Sequence, residues 1–308
     1  MLTRSKGFAL GFLALFFFVA CGDSANTTAE VPLPATVPIN APVADDCLTD
    51  VGPGAYELRC EGLDFNLNIP EVCTEYACGL IVDVHGFGMT ADLQEIHSEI
   101  AVRGGEAGYI VLQPTAPLTD RGNSWSNSGG QDEQVEALLR RTMEAFHVLE
   151  DRVHMTGYSQ GGFMTWRFLC NRSEIFGSVA PMGAGTRCLD ESFPENPVDI
   201  LYGHGTTDGL VSFSSSVPVR EWIQEGYALN EGVLLAGDSE YEWTRFEGAD
   251  GTIFEFMQWD WETPFALGSQ PLRAHCFPGS GLFLGCGADN PVHWGEVVVE
   301  FFRSHPRQ

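Results

Sequence analysis

The segment 152–166 (RVHMTGYSQGGFMTW) constrains the fold more than any other part of the chain. Its β-branched and apolar start predicts a strand, and the apolar residues after Gly162 predict a helix. Only the stretch 157–161 (GYSQG) separates the two elements. A glycine-flanked serine on such a sharp corner can hold a strained backbone while its side chain projects above the sheet. We therefore predict that Ser159 is a catalytic nucleophile rather than a turn residue.

Strands that alternate with helices surround this motif. Strict apolar–polar alternation over 63–69 predicts a half-buried strand near a sheet edge. Further strands are predicted at 79–84, 109–112 (stopped by Pro114), 153–157, 178–182 and 198–202, with a hairpin over 241–259; helices are predicted at 132–149 and 162–170 and around 297–302, the last with Asn290 and Pro291 as cap and first turn. An antiparallel start followed by this alternation predicts an α/β fold, with a mostly parallel sheet covered by helices on both faces.

The acidic partner of Ser159 should follow a later strand, because ligands of such sheets bind beyond the carboxyl ends of the strands. Asp199 and Asp208 bracket one predicted strand. Asp199 lies at its amino end, on the wrong side of the sheet. Asp208 lies in the loop beyond its carboxyl end and is our candidate, and an ordinary turn aspartate before Gly209 is the alternative.

Three histidines follow Asp208 and are candidates for the general base. His305 is close to the end of the chain. His293 is predicted in the first turn of the closing helix, where the helix dipole disfavours the imidazolium that a general base must become. His275 lies on a loop that Cys276 could clamp, and we favour it. His293 stays open as the alternative.

An oxyanion site should follow an earlier interior strand. The stretch 85–88 (HGFG) comes directly after the predicted strand 79–84. Backbone N–H groups of Phe87 and Gln160 are therefore the predicted donors to a developing oxyanion. His85 and His204 are predicted to be hydrogen-bonding residues beside the site.

The N-terminus has the pattern of an export signal. Arg4 and Lys6 precede an apolar run over 8–20 that is too short for a membrane span, and Cys21 follows it. This end resembles a lipoprotein lipobox, and an ordinary secretory signal with a chance cysteine is the alternative. We predict a signal peptide at 1–21, a flexible Pro/Ala/Thr-rich tether at 22–46 and a catalytic domain at 47–308.

The cysteine count agrees with export. Setting Cys21 aside leaves an even number of cysteines, which in an oxidising compartment indicates up to four disulfides. Cys73–Cys78 and Cys276–Cys286 are plausible local pairs. A zinc site is the competing interpretation, but the C-x4-C spacing is loose for zinc and paired CxxC motifs are missing from the sequence. We predict no metal.

The charge balance narrows the range of partners. The formal net charge is −26, and loss of Arg4 and of Lys6, the only lysine, would take it to −28. Because nucleic acids and anionic membranes are also negatively charged, we do not expect them as partners. We predict contact with a membrane only through a lipid anchor at Cys21. An acidic, lysine-free composition is also typical of proteins from saline habitats.

Over 47–308 the motifs resemble those of the secreted polyhydroxybutyrate depolymerase and feruloyl esterase group of α/β hydrolases. Five stretches of this chain carry the resemblance: 85–88, 124–126, 157–162, 204–208 and 275–279. They are similar, in that order, to the group's motifs His-Gly-Cys-Gly, Ser-Trp-Asn, Gly-x-Ser-x-Gly-Gly, His-Gly-x-x-Asp and His-x-Trp-Pro-Gly. The chain departs from the group at Phe87 and Phe277, which replace a cysteine and a tryptophan. It also has Arg273-Ala274 where the group has glycines before the histidine.

This resemblance implies an exported serine ester hydrolase that needs no cofactor and acts on a polyester oligomer or a plant-polysaccharide ester. It supports His275 over His293 as the base. Trp125, Phe277 and the apolar stretch 281–285 are the resulting candidates for substrate contact. A serine peptidase with the same residues is one alternative, and a non-catalytic, surface-anchored binding protein is another.

Overall fold

The computed structural model describes residues 47–48, 51–126, 128–185, 193–194 and 196–308. The predicted signal peptide and tether, with Cys21, lie outside these residues, and so does Cys188. In the part of the chain that is described, no helix combines the length and the apolar character needed to span a membrane.

Strands and α-helices alternate along most of the described residues. The strands are β1 (Gly54–Cys60), β2 (Leu63–Ile69), β3 (Cys78–Val84), β4 (Tyr109–Thr115), β5 (Leu118–Thr119), β6 (Gly122–Asn123), β7 (Val148–Tyr158), β8 (Ser178–Met182), β9 (Asp199–Gly205), β10 (Val233–Gly237), β11 (Tyr241–Glu247), β12 (Ile253–Trp259), β13 (Thr263–Leu267) and β14 (Gln270–Arg273). The helices are α1 (Ala91–Ser98), α2 (Ile100–Glu106), α3 (Asp132–Ala145), α4 (Gln160–Asn171), α5 (Ser216–Gly226) and α6 (Trp294–Ser304).

Ten of these strands form one sheet, in the order β1-β2-β4-β3-β7-β8-β9-β12-β11-β10. The six strands from β4 to β12 in this order are parallel, and β2 and β1 join them antiparallel at one edge. The predicted mostly parallel sheet with an antiparallel N-terminal edge is therefore confirmed. A second antiparallel edge, formed by β11 and β10, completes the sheet, and β5–β6 and β13–β14 form separate two-stranded ribbons.

Both faces of the sheet are covered by helices, as predicted. Successive side chains of a strand point to opposite faces, so β3 contributes to two cores. Leu80 and Val82 belong to one core together with Leu138 of α3, whereas Ile81 belongs to the other together with Val298 of α6. Continuous burial along β3 follows from this arrangement, because neither of its faces contacts water.

Two predicted boundaries along the sheet are wrong. The helix predicted over 132–149 ends at Ala145, because Phe146 turns extended and β7 starts at Val148. The prediction was too long because the apolar residues at the start of β7 extend the helical spacing of apolar residues by chance. Pro114 does not stop β4, which runs to Thr115. Pairing of β4 with β3 ends at Leu112, so the missing proline N–H breaks no ladder hydrogen bond on that side.

The start of the closing helix also differs from the prediction. Helix α6 begins at Trp294, and His293 is its N-cap residue in an extended conformation. Asn290 and Pro291 lie before the helix and are neither its cap nor its first turn. His293 consequently lies outside the first turn in which it was predicted.

A buried carboxylate lies in β3, one residue before the strand ends. Asp83 is 0% exposed and accepts hydrogen bonds from Gln94 Nε2 (2.7 Å), Ser98 Oγ (3.0 Å) and Gln113 Nε2 (3.0 Å). Burial raises the pKa of Asp83 to about 7, although these hydrogen bonds lower it. The Oε1 atom of Gln94 is buried without a partner in the described part of the chain. Turning the Gln94 amide over would give a protonated Asp83 an acceptor.

The Asp83→Asn variant is expected to lose part of the pH dependence of stability. Since the folded-state pKa of Asp83 lies above its ordinary value of 3.8, the stability linked to this group is lost as pH rises from about 4 through about 7. Asparagine is neutral throughout that range. Unfolding midpoints at about pH 5 and about pH 8 should therefore differ less in the variant than in the wild type. The exposed-site variant Asp120→Asn is the control, and an Asp83→Asn variant with the wild-type slope contradicts the assignment.

Candidate active site

Ser159 occupies the corner between β7 and α4. Its backbone has φ +53° and ψ −113°, a region that non-glycine residues enter at a cost of roughly 1–3 kcal/mol. Two backbone hydrogen bonds hold it there: the Ser159 N–H donates to the Met182 carbonyl (2.9 Å), and the Ser159 carbonyl accepts from the Phe163 N–H (2.9 Å). Backbone strain of this kind is concentrated at functional sites. The conformation is the one predicted for a nucleophile on a strand-to-helix corner.

The glycines around Ser159 are required by close backbone packing. A Cβ atom added to Gly161 would lie 1.9 Å from the Val84 carbonyl oxygen, and one added to Gly157 would lie 2.5 Å from the Gly161 carbonyl carbon. The first turn of α4 therefore packs directly on the end of β3. This packing brings Ser159 next to the loop that follows β3, where Phe87 lies.

Asp208 and His275 form a buried pair. The Asp208 Oδ2 atom lies 2.6 Å from His275 Nδ1, and both side chains are at most 2% exposed. The other carboxylate oxygen, Oδ1, accepts N–H groups from Leu210 (2.8 Å) and Val211 (2.7 Å). Burial alone would raise the pKa of Asp208, but hydrogen bonds from His204 and His275 lower it to about 2. The carboxylate is therefore ionised at neutral pH and held in one orientation.

The Asp208 loop and the His275 segment meet because glycine allows a close approach. Asp208 follows β9, and a Cβ atom at Gly205 would lie 2.2 Å from the Ala274 carbonyl oxygen. The Tyr158 hydroxyl donates to the His275 carbonyl (2.9 Å), which ties this segment to the end of β7. The Cys276–Cys286 disulfide is present directly after His275, as the sequence predicted.

Ser159 and His275 open onto the same cavity, whose volume is about 170 Å³. The other lining residues are Phe87, Met89, Tyr158, Leu210, Phe265, Ala266, Leu267, Leu272, Phe283 and Leu284. None of these ten side chains is an acid, a lysine, an arginine or a histidine, and most are apolar. The cavity therefore suits an uncharged, largely apolar group placed next to the serine hydroxyl.

Two backbone N–H groups next to Ser159 are free to donate to a ligand. Gln160 is the first residue of α4, a position at which the N–H has no acceptor within the helix. Phe87 lines the cavity, and its N–H donates to no backbone or side-chain acceptor among the described residues. These are the two amides predicted for the oxyanion site.

The substrate-contact prediction for Trp125 and Phe277 is not supported. Trp125 is 2% exposed, and its Nε1–H donates to the His85 carbonyl (3.0 Å). Phe277 is 0% exposed and packs on Tyr158, with 4.3 Å between ring centroids. Neither residue lines the cavity. Both aromatic rings are packed in the protein interior beneath the loops that carry Ser159 and His275, and do not face the cavity.

The Gln160 side chain makes two hydrogen bonds near Ser159. Its Oε1 atom accepts the Trp125 N–H (3.0 Å), and its Nε2 donates to Ser124 Oγ (3.2 Å). This side chain therefore connects the start of α4 to the stretch 124–126. This connection was not predicted from the sequence, where only a backbone role was expected for Gln160.

The remaining histidines occupy other positions. His293 Nε2 lies 3.5 Å from Glu99 Oε2, away from Asp208, so the geometry favours His275 as the partner of the acid. His85 Nδ1 donates to the Gly86 carbonyl (2.6 Å) and its Nε2 accepts the Ala116 N–H (2.9 Å). Burial lowers the pKa of His85 to about 4. His204 is also fully hydrogen-bonded, between Tyr202 and Val211.

One wall of the cavity was not predicted from the sequence. Phe265, Ala266 and Leu267 come from the β13–β14 ribbon, which was not predicted. The sequence does carry a signal for it, since Gly268 follows a short apolar run and adopts a positive φ at the turn. From the stretch 281–285, Phe283 and Leu284 do line the cavity, which agrees with the predicted apolar surface.

Disulfides hold several of the loops. Cys73–Cys78 is present as predicted, and Cys47–Cys60 is a further pair. Cys170 is also disulfide-bonded. Within the described residues, no group of three or more His, Cys, Asp or Glu side chains is arranged to hold a metal ion.

Arg273 stands where the resembled group has glycine, and the backbone shows a consequence. Its φ is +52°, in the left-handed region that favours glycine. The exposed side chain cannot relieve this strain, so Arg273→Gly is expected to raise the free energy of unfolding by about 1 kcal/mol. Chemical denaturation measures the change. Arg273→Ala removes the same side chain but keeps a Cβ atom, and an equal gain in that control would contradict the explanation.

The chain has the α/β-hydrolase fold. This class of fold is indicated by the sheet order, the strained serine corner and the buried acid–histidine pair. An acetyl xylan esterase from Aspergillus awamori superposes with a TM-score of 0.52 at 14% identity, covering 67% of this chain and 92% of that one. This likeness shows the fold.

The sequence is also similar to those of curated esterases. The chain is 23% identical over 135 residues to the bifunctional acetylxylan esterase/xylanase XynS20E of Neocallimastix patriciarum, covering 44% of this chain and 20% of the relative. It is 25% identical over 152 residues to the protein named "Probable feruloyl esterase C" of Aspergillus clavatus, covering 47% and 55%. The chain thus spans about half or less of these relatives. No family model matches it.

Proposed function

We propose that this chain is a carboxylic ester hydrolase that works through Ser159, His275 and Asp208. One observation carries the proposal: His275, which is paired with the buried Asp208, lines the same cavity as a serine held at positive φ. The similarity to feruloyl and acetylxylan esterases supports it independently of this geometry.

In the acylation step, His275 Nε2 takes the proton of Ser159 while the Ser159 Oγ attacks the ester carbonyl carbon. Asp208 accepts the Nδ1–H of His275, which fixes the tautomer whose Nε2 can act as the base. The backbone N–H groups of Phe87 and Gln160 stabilise the negative charge that develops on the carbonyl oxygen. His275 then gives the proton to the leaving alcohol, and the acyl group remains on Ser159.

In the deacylation step, water replaces the alcohol. His275 takes one proton from the water, and the resulting hydroxide attacks the acyl carbon. The tetrahedral intermediate uses the same two amides. His275 returns the proton to Ser159 Oγ as the carboxylic acid leaves. The proposed cycle uses only these residues and water.

The cavity supports an ester with an apolar or aromatic acyl group. Phe87, Phe265 and Phe283 contribute aromatic rings, and none of the described lining residues is an acid or an arginine. The relatives are named for feruloyl and acetylxylan ester cleavage. We therefore propose a plant-polysaccharide ester as the substrate class, ahead of a polyester oligomer.

We also propose that the chain is exported. Disulfides such as Cys47–Cys60 and Cys73–Cys78 persist in oxidising compartments and are rare in the cytosol. Acylation of Cys21 remains a prediction from the sequence, because that residue lies outside the described part of the chain.

A fluorophosphonate probe tests the proposed reaction directly. We expect covalent labelling at Ser159, located by peptide mass spectrometry, and turnover of methyl ferulate and acetylated xylan in parallel assays. Hydroxybutyrate oligomers and a peptide amide in the same panel address the polyester and peptidase alternatives. Labelling at another serine, or an unlabelled protein that hydrolyses none of the esters, would refute the proposal.

A further inference from the structure

A second cavity lies at the other end of the sheet from Ser159. It has a volume of about 210 Å³ and is formed at the amino ends of β3 and β4 and along β7. Ser159 and His275 lie at the carboxyl ends of the strands. Since β3 has seven residues, the two cavities are separated by roughly 20 Å of strand. The second cavity is therefore not a part of the candidate active site.

Arg152 lines this cavity without a counter-charge. The residue is 6% exposed, its side chain forms no ion pair with any described residue, and the Tyr109 hydroxyl is a polar group beside it. Its Nε atom is buried without a partner. The chain has 42 acidic and 16 basic Lys and Arg side chains, so an arginine left without a carboxylate is unexpected. A guanidinium at the wall of a cavity with no carboxylate paired to it is complementary to an anion.

Tyr109 provides a second donor in the same cavity. Its buried hydroxyl lies beside the Arg152 side chain without forming a hydrogen bond of normal geometry to a described residue, and Tyr109 is 1% exposed. Burial raises the pKa of Tyr109 to about 12, although the nearby charge of Arg152 lowers it, so the hydroxyl keeps its proton. The ring packs against Gly79, where a Cβ atom would lie 2.3 Å from the ring. The position of the hydroxyl is therefore fixed by the fold.

We propose that this cavity binds a small monocarboxylate with an apolar tail. A carboxylate accepts hydrogen bonds from a guanidinium and a hydroxyl at the same time, and such charge-assisted bonds are the strong ones. Val72, Tyr76 and Leu149 form the remaining wall and suit a hydrocarbon tail better than an inorganic anion. The Cys73–Cys78 disulfide encloses Tyr76, which limits the movement of that wall. The volume fits a molecule of the size of benzoate or hexanoate.

Benzoate titration of the full chain tests this proposal, with the rise in unfolding temperature and isothermal calorimetry as readouts. Saturable binding to the wild type is expected, and Arg152→Met should weaken it by at least about tenfold. Methionine keeps the length of the side chain and removes the unpaired charge, so the variant should be as stable as the wild type without benzoate. Arg59→Met, at an exposed arginine that pairs with Asp64, is the control for net charge and should bind as the wild type does.

Three outcomes would overturn the proposal. Benzoate binding that survives Arg152→Met would place the ligand elsewhere, including the candidate active site, whose described lining residues include no arginine. Inorganic phosphate that binds as tightly as benzoate would show a site for simple anions. Tyr109→Phe keeps the ring and removes only the hydroxyl, so it should weaken benzoate binding several-fold even if Arg152→Met does not fold, and unchanged affinity in this variant would exclude the assigned geometry.

Discussion

Replacing Ser159 by alanine is expected to lower kcat/KM for a p-nitrophenyl short-chain ester by at least about 10⁴-fold. The variant keeps every backbone contact of the corner, because those contacts are made by the Ser159 N–H and carbonyl groups. Alanine also has the same Cβ atom, so the strain at φ +53° is unchanged. The expected loss is therefore chemical, since the substitution removes only the oxygen that we propose as the nucleophile. Steady-state kinetics together with the unfolding midpoint measure the two effects separately.

Ser214→Ala is the matched control for this variant. Ser214 is an exposed serine whose hydroxyl contacts only Ser212 among the described residues. Its substitution should leave both turnover and stability at wild-type values. Near-wild-type turnover in Ser159→Ala would remove Ser159 from the mechanism, whereas loss of the folded state would show that the hydroxyl has a structural role.

The elbow was predictable because its determinants are local in sequence. Gly157, Ser159 and Gly161 lie within five residues, and the strand and helix on either side have clear apolar patterns. The position of Asp208 was predictable for a related reason. A residue that follows the carboxyl end of a parallel strand lies on the ligand side of the sheet, whatever its other contacts are.

Other features depend on contacts that the sequence does not display. An aromatic residue in a motif can turn toward a ligand or toward the core, and Trp125 turns inward because its Nε1–H reaches the His85 carbonyl. The β13–β14 ribbon has mostly exposed side chains, so it lacks the apolar alternation that marks a half-buried strand. The partner of Gln160 lies 35 residues away in the chain, a separation at which only the fold establishes the contact.

Replacing Asp208 by asparagine is expected to be nearly as severe as removing Ser159, with a loss of about 10⁴-fold in turnover. Two backbone N–H groups, from Leu210 and Val211, donate to Oδ1, so the oxygen of an asparagine amide must occupy that position. Its NH₂ group then faces His275 Nδ1. That nitrogen must become an acceptor, and the ring proton moves to Nε2. His275 in this tautomer cannot accept the Ser159 proton, although the shape of the site is preserved.

Asp199→Asn tests whether the effect is specific to this position. Asp199 is the first residue of β9, the strand that precedes Asp208. It is buried and accepts a hydrogen bond from the Ile253 N–H (2.7 Å). An asparagine oxygen can take over that bond, so turnover in the control should stay near the wild-type value. Asp208→Asn should also retain a wild-type circular dichroism spectrum, because its hydrogen bonds to Leu210 and Val211 remain. Full activity of Asp208→Asn would mean that the orientation of His275 does not depend on this carboxylate, and the proposed roles of both residues would fail together.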